Sequence, residues 1–370
     1  MKPLSFLCIS KEYWDGPRRA RKHLLFEALQ RHPSVQEILY VNPHYHRWRP
    51  HPEERANESG VRVFQGTFLL PGERFSWVRA VNRYWAYRRL RREIEHRPFW
   101  YTVFYDPWDT PLARTLKKRG PVLFDWTEDW KTYYHIQSMG SAQRLAVKTA
   151  SAIIAVTETL KGRASEIRGS DDGVFLLPNA TSWKAAKNLP CPAELSKIPI
   201  PRLGYLGHAG PWLDADLVAS LAQARPEWHW VLVGHTDPSR QEHFRSFGNI
   251  HLLGQKPFDE LQSYMAHCQV LVAPYRKYIE GDATKLYDYL TIGHPIVTSE
   301  IATAYRLKSY VRIAKDIKSW LTAIAEALDE KDIDLHRSRQ QESLKHTWDM
   351  RASALLKWLK AHQESQDNER

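Results

Sequence analysis

Cysteine is scarce in this 370-residue chain. Cys8, Cys191 and Cys268 are odd in number, far apart and without a metal-ligand spacing. That excludes a disulfide framework and fits a reducing, cytoplasmic compartment, with all three as packing residues. Long apolar runs are also missing: the longest, such as SAIIAV over 151–156, are too short to cross a bilayer. The amino-terminal MKPLSFLCIS has no small-residue cleavage site behind it and leads into charged KEYWDGPRRARK, so it reads as a first strand, not a signal peptide. No GxGxxG occurs, so the dinucleotide fingerprint is absent.

Positive charge and tryptophan are plentiful. Lys and Arg number 53 against 42 Asp and Glu, a formal net charge of +11, and there are 15 Trp. Such a balance suits nucleic acid, an anionic membrane surface or phosphorylated small molecules as partners. No recognition-helix, RNP-like or zinc module supports nucleic acid. A hydrophobic content of 43% with 26% charged residues is that of a globular chain, and its length points to two domains.

Short apolar runs alternate with helical patterns almost throughout, which predicts parallel sheets covered on both faces. Strands are expected at 4–10, 36–42, 100–106, 121–126, 152–157 and 173–179. The stretch 181–201 then carries four prolines and little periodicity. A second series follows, with strands at 201–207, 229–234, 249–254, 269–275 and 295–299. The expected organisation is an acceptor-binding domain over 1–182, a linker over 183–200, a donor-binding domain over 201–345, and a helix and tail over 346–370. The tail QESQDNER is expected to fray. Two doubly wound α/β domains would face a cleft, with ligands at the carboxyl ends of strands. Those ends hold Asp106, 125–129, 204–210, Gly234, His235, Gly254 and 274–284.

Four stretches carry candidate chemistry. LGYLGHAGPW (203–212) lies between strand and helix; Gly204, Gly207 and Gly210 would let backbone amides approach a phosphate, or simply make a turn. FDWTEDW (124–130) sets Asp125, Glu128 and Asp129 among aromatics, where a desolvated carboxylate could abstract a proton or cap the next helix. Asp214 and Asp216, like Asp332 and Asp334, have the spacing of a metal-binding pair but open amphipathic helices, so they are read as caps and no metal site is assigned. In GDATKLYDYLTIGHPIVTS (281–299), Asp282 or Thr284 would cap a helix whose first turn holds Lys285. A lysine there opposes the helix dipole unless an anion is shared with the free amides. Asp288 lies on the same face, where it could accept from ribose hydroxyls.

This last stretch resembles the donor-binding motif of bacterial GT-B glycosyltransferases, K-L-(Y/F)-E-Y-(L/M)-A-x-G-x-P-V-V. Lys285, Leu286, Tyr287, Tyr289, Gly293, Pro295 and Val297 match, and Asp288 stands where the family has Glu. Glu280 precedes Asp288 at a spacing similar to the E-x7-E of retaining members. KEYWDGPRRARKHLLFEALQ (11–30), FDWTEDW, AIIAVTETL, LLPNAT and the segment from Leu203 to Gly234 resemble, in order, teichuronic acid and other surface-polysaccharide glycosyltransferases. Ala180 replaces the family's usual glycine.

The resemblance implies a metal-independent hexosyltransferase with no cofactor, using a nucleoside-diphosphate sugar as co-substrate. The acceptor would be a saccharide or a polyprenyl-diphosphate-linked one. A sugar-nucleotide epimerase of the same fold is the alternative. Donor binding is expected from Gly207, His208, Gly210, Gly234, Gly254, Lys256, Tyr275, Glu280, Thr284, Lys285 and Asp288; Asp129, Glu128 and Asp125 are the catalytic candidates, with Asp129 or Glu128 as base if the reaction inverts the anomeric centre, and a different role or none if it retains it. RAVNRYWAYRRLRREIEHR (79–97) has the composition of an interfacial helix on anionic lipid or of an ordinary surface helix with aromatics in the core. Trp14, Arg19, Arg88 and Arg92 are expected to face acceptor or membrane, on a protein peripheral to the inner face of the cell membrane.

Overall fold

The continuous apolar runs become parallel strands in both halves of the chain. The structure, a computed structural model, describes residues 4–14, 19–43, 45–46, 59–64, 68–71, 75–95, 101–128, 139–276 and 281–368. The chain forms two units: Met1–Pro178 with Trp348–Arg370, and Asn179–Thr347.

The first unit begins with β1 (Leu4–Ile9), α1 (Arg21–Gln30), β2 (Val35–Val41), β3 (Tyr45–His46), β4 (Arg62–Phe64), β5 (Phe68–Leu69) and α2 (Ser76–Ile94). It continues with β6 (Tyr101–Phe104), α3 (Thr110–Leu116), β7 (Val122–Trp126), α4 (Met139–Thr149), β8 (Ala152–Ala155), α5 (Glu158–Arg168) and β9 (Val174–Leu176). Among the described residues the main sheet runs β4-β2-β1-β6-β7-β8-β9, all parallel, and β3 pairs with β5 apart from it. Strands buried on both faces need apolar residues at every position, which is why the sequence shows runs and not alternation.

The second unit is β10 (Arg202–Leu206), α6 (Ala215–Ala224), β11 (His229–Val233), α7 (Pro238–Phe244), β12 (Ile250–Gly254), α8 (Leu261–Ala266), β13 (Val270–Ala273) and α9 (Thr284–Ile292). Then come β14 (Ile296–Ser299), α10 (Ala302–Arg306), β15 (Arg312–Ala314), α11 (Ile317–Leu328) and α12 (Ile333–Ser343). Its parallel sheet runs β12-β11-β10-β13-β14-β15, so strand order reverses between β10 and β13. That reversal opens a crevice at the carboxyl edge. Two apolar layers cover the sheet. Met265, Leu286 and Leu290 pack with Leu271 and Ile296 on one face. Val218, Trp320 and Ile324 pack with Leu203 and Val272 on the other. Gly204 admits the first layer: a Cβ there would stand 2.7 Å from Cys268 Sγ.

The segment 183–200, expected as a linker, is packed within the second unit. Trp183 stacks on Phe258 at 4.7 Å, Leu195 is fully buried, and Glu194 pairs with Lys256 at 2.5 Å. Its prolines suppress regular structure, but its apolar residues still find the second unit's core. The tail does not fray at Gln363: helix α13 (Trp348–Asn368) continues through it. This helix packs on α1, and Tyr101 donates to Gln363 Oε1 at 3.1 Å, so the helix end is held within the first unit.

Helix α9 is anchored at its carboxyl end by α12. Buried Arg339 donates to the Gly293 carbonyl at 3.1 Å and to both oxygens of Glu330, and Gln340 donates to the Ile292 carbonyl. Replacing Arg339 by Met leaves Glu330 with only Arg312 and frees the helix-end carbonyl. The expected cost is about 3–5 kcal/mol, because a buried carboxylate loses its principal counter-charge; denaturant unfolding of the variant measures it.

Candidate functional site

The carboxyl edge of the second sheet gathers most of the expected donor residues. Gly207 follows β10 with φ +131°, and Gly234 follows β11 with φ +137°. Their backbones touch: a Cβ on Gly234 would lie 2.3 Å from the Gly207 carbonyl oxygen. A Cβ on Gly207 would in turn stand 3.2 Å from Lys285 Nζ. Only glycine permits this arrangement, since other residues resist both the dihedral and the approach.

The loop's amides divide into two sets. Gly207 N–H donates to the Val233 carbonyl and Ala209 N–H to the His235 carbonyl, extending the pairing with β11. These two are therefore spent on the fold. The His208 and Gly210 amides have no partner among the described residues and remain to meet a ligand. Gly210 also has a packing role, for a Cβ there would sit 2.9 Å from the His208 ring. Gly234 N–H donates to the Gly254 carbonyl, and Gly254, φ +70°, has open space around its Cα.

Lys285 lies in the first turn of α9. Its Nζ sits 3.5 Å from the centre of the Tyr205 ring and 5.0 Å from that of Tyr275. No described carboxylate comes within ion-pair distance of it. Desolvation holds its pKa well below the usual lysine value, partly opposed by the charge of Asp288. Asp288, one turn on, is pushed up to about 7 by burial, against a hydrogen bond from Thr181 and the Lys285 charge. An ammonium on two aromatic faces, with a distant and reluctant carboxylate, favours an incoming anion.

The start of α9 is held in an unexpected way. Neither Asp282 nor Thr284 caps it; Ala283 occupies the cap position and no side chain closes the first turn. Asp282 is instead a buried hub. It accepts from Asn179 N–H (2.6 Å), Thr303 Oγ1 (2.7 Å), Arg306 Nη1 (2.8 Å) and Tyr287 Oη (3.1 Å). With its carboxylate so used, no side chain caps the first turn of α9 beside Lys285, where Leu286 N–H alone turns back to the Ala283 carbonyl. The sequence pattern suggested a cap because Asp commonly serves as one; its partners lie up to 103 residues away and have no local signal.

Other expected residues have partners of their own or lie outside this edge, Tyr275 excepted. Lys256 is committed to Glu194 and Tyr275 packs in the core under Lys285, while Glu280 and Asp129 lie outside the described residues. Asp125 is fully buried and paired with Arg21 at 2.9 Å, which ties β7 to α1. A side chain sealed from solvent and held by a cation is a poor base, so the assignment of Asp125 as catalytic is corrected. Glu128 is half-buried, its carbonyl accepting from Trp126 Nε1 at 2.9 Å. Trp14 is also corrected as an acceptor- or membrane-facing residue. Trp14 is 5% exposed and packs on Tyr40. Arg19 is exposed, lies against the Trp14 ring and pairs with Glu27. Asp214 and Asp332 cap α6 and α12, as expected. The described residues bring His208, His235 and Asp237 together, with His208 Nε2 2.6 Å from Asp237 Oδ1. No metal spacing in the sequence marked this cluster, because its members sit on two loops.

Residues 203–330 match the family described as "Glycosyl transferases group 1". TuaH of Bacillus subtilis (strain 168), named as a candidate glycosyltransferase of teichuronic acid biosynthesis, is 23% identical over 336 residues, covering 81% of this chain and 82% of TuaH. Among solved structures, sucrose-phosphate synthase from Thermosynechococcus elongatus superposes with a TM-score of 0.75 at 13% identity, covering 98% of this chain and 100% of its own. Anabaena HepE, solved in complex with UDP-glucose, gives 0.67 at 13% identity over 97% and 100%. The fold is thus that of GT-B glycosyltransferases.

The Gly207–Gly234 contact is testable by itself. Gly234→Ala forces a Cβ into the Gly207 carbonyl at a left-handed dihedral, and a loss of about 2–4 kcal/mol in denaturant unfolding is expected.

Proposed function

We propose that this chain, a glycosyltransferase with the group 1 pattern across residues 203–330, moves a sugar from a nucleoside-diphosphate sugar to a saccharide or lipid-linked acceptor in surface-polysaccharide synthesis. The observation that carries the donor assignment is Lys285: a desolvated ammonium on Tyr205 and Tyr275 with no carboxylate in ion-pair distance among the described residues. TuaH's name and the UDP-glucose complex of HepE support the same reading.

In this reading an acceptor hydroxyl attacks the anomeric carbon while the bond to the donor's β-phosphate oxygen breaks. The leaving diphosphate takes its counter-charge from Lys285, the free amides of His208 and Gly210, and the uncapped first turn of α9. Asp288 offers its carboxyl to the ribose. These groups supply leaving-group stabilisation without calling on a metal ion. Of the FDWTEDW acids, Glu128 and Asp129 remain candidates for the base.

Lys285→Met should weaken binding of UDP, GDP or dTDP, whichever the protein prefers, by at least about tenfold in calorimetry. The wild type should also show a pH effect. The lysine's pKa is depressed when free, and an anion restores the charged form, so binding takes up a proton. Affinity should therefore fall as pH rises from the depressed pKa of the free lysine toward its restored value in the complex, and the slope should vanish in Lys285→Met. Undiminished diphosphate affinity in that variant would remove Lys285 from the site.

A membrane-facing role for α2 rests on its exposed face. Trp77, Tyr84 and Trp85 are 64%, 58% and 54% exposed, and Arg88, Arg89, Arg91 and Arg92 are exposed with them. Val78, Ala86, Leu90 and Ile94 fill the opposite, buried face, so these aromatics lie outside the core. No helix among the described residues is long and apolar enough to cross a membrane. Aromatic and arginine side chains on one exposed face suit an anionic lipid surface. In flotation assays the chain should float with anionic vesicles and not with neutral ones, and Trp77→Ala/Trp85→Ala should reduce the floated fraction. Equal recovery from both vesicle types would rule this role out.

A further inference from the structure

We infer that His208, His235 and Asp237 form a binding site for a divalent transition metal of the zinc class, bracing the loops after β10 and β11. Asp237 Oδ1 lies 2.6 Å from His208 Nε2 and 3.5 Å from His235 Nε2, and all three ligand atoms fall within 4.8 Å of one another. Ligands around tetrahedral zinc, each about 2.0–2.1 Å from the ion, stand roughly 3.3–3.4 Å apart. The second separation already suits that geometry, and the first needs to open by about 0.7–0.8 Å. Two imidazoles and one carboxylate are a borderline-soft set, matched to zinc or its neighbours and not to magnesium or calcium.

The cluster is built, not incidental. The loops that carry it are stitched together: Ala209 N–H donates to the His235 carbonyl, Asp237 N–H to the Ala209 carbonyl, and Gln241 Nε2 to the Thr236 carbonyl. The His208 carbonyl accepts from Tyr205 Oη at 2.8 Å and Trp212 Nε1 at 3.0 Å. Its ring stands at right angles to Trp212 and rests on the bare Cα of Gly210, which fixes its orientation. Asp237 occupies the cap position of α7, a place where aspartate ordinarily bonds the first-turn amides. Here its carboxylate makes no such bond and turns to the two imidazoles, which are its only charge partners among the described residues. A carboxylate withdrawn from a ready cap toward two histidine nitrogens has the donor convergence of a metal site.

This inference does not depend on the donor reading, which rests on Lys285. A metal held here would take a water as its remaining ligand and tie the ends of β10 and β11 through side chains as well as backbone.

The test uses the full chain without a histidine tag, stripped with chelator and titrated with Zn2+ against a chromophoric competitor. One ion per chain is expected, with Co2+ giving the visible bands of four-coordinate cobalt. His235 is 63% exposed, so His235→Ala should fold normally and bind Zn2+ more than about tenfold more weakly, at least the loss caused by removing an outer partner of a metal ligand. His208→Ala and Asp237→Asn should do the same. His229→Ala serves as the control, since His229 and His251 form a separate histidine pair 3.1 Å apart, and it should bind as wild type. No ion retained against the competitor, or unchanged affinity in His235→Ala, overturns the proposal.

Discussion

The buried carboxylate of Asp282 fixes the place from which α9 starts, and the candidate site depends on that place. Four groups from three separate stretches converge on it: the Asn179 amide, Thr303, Arg306 and Tyr287. A buried charge is tolerable only when paired and hydrogen-bonded, and this one is both. Arg306 and Tyr287 also bond one another at 2.7 Å, so the network closes on itself. At the other end of the helix, Arg339 and Gln340 occupy the carbonyls. Held at both ends by side chains from elsewhere, α9 needs no cap of its own. Its uncapped first turn and Lys285 are left facing the sheet's open edge.

That edge concentrates unfavourable features of a kind that function repays. Two glycines stand in left-handed or unusual dihedrals with their backbones in contact, and a lysine is drawn out of water with no carboxylate in ion-pair distance among the described residues. Each feature costs stability in the free protein. In the proposed donor complex, an anion between Lys285 and the free loop amides would relieve the largest of them. The neighbouring imidazole–carboxylate cluster lies on the same loops, one residue from each glycine at its nearest. Strain, charge and metal-ligating atoms thus share one short stretch of edge, and the extensive packing beneath it, with Trp228, Trp230 and Trp320 fully buried, keeps that edge in place.

Much of this was legible beforehand. The apolar runs located the principal strands, since a strand covered on both faces leaves a run that periodicity reveals. The lysine in the first turn of α9 was conspicuous because it contradicts the helix dipole, a local rule. Short edge elements such as β4, β15 and α10 escaped notice, for three to five residues carry no periodic signal. FDWTEDW misled in part: Asp125 looks like its neighbours in sequence, but strand β7 carries it into the core and onto Arg21. Trp14 misled likewise, since a tryptophan among charges reads as exposed until Tyr40 and His23 are seen to enclose it.

The sequence by itself determined the α/β class, the two series of strands and the placing of a lysine in the first turn of the helix within 281–299, because these follow from spacings within a few turns of chain. Only the tertiary structure decided which acids are structural, which loop amides remain free, and that aspartate and histidines from two loops meet. Those outcomes depend on residues tens to a hundred positions apart being brought within 3 Å. Burial then sets the meaning of each charge: the same carboxylate is a hub at Asp282, an ion-pair partner at Asp125 and a proton-retaining group at Asp288. Desolvation and the company of specific partners, neither of which is encoded locally, separate the three.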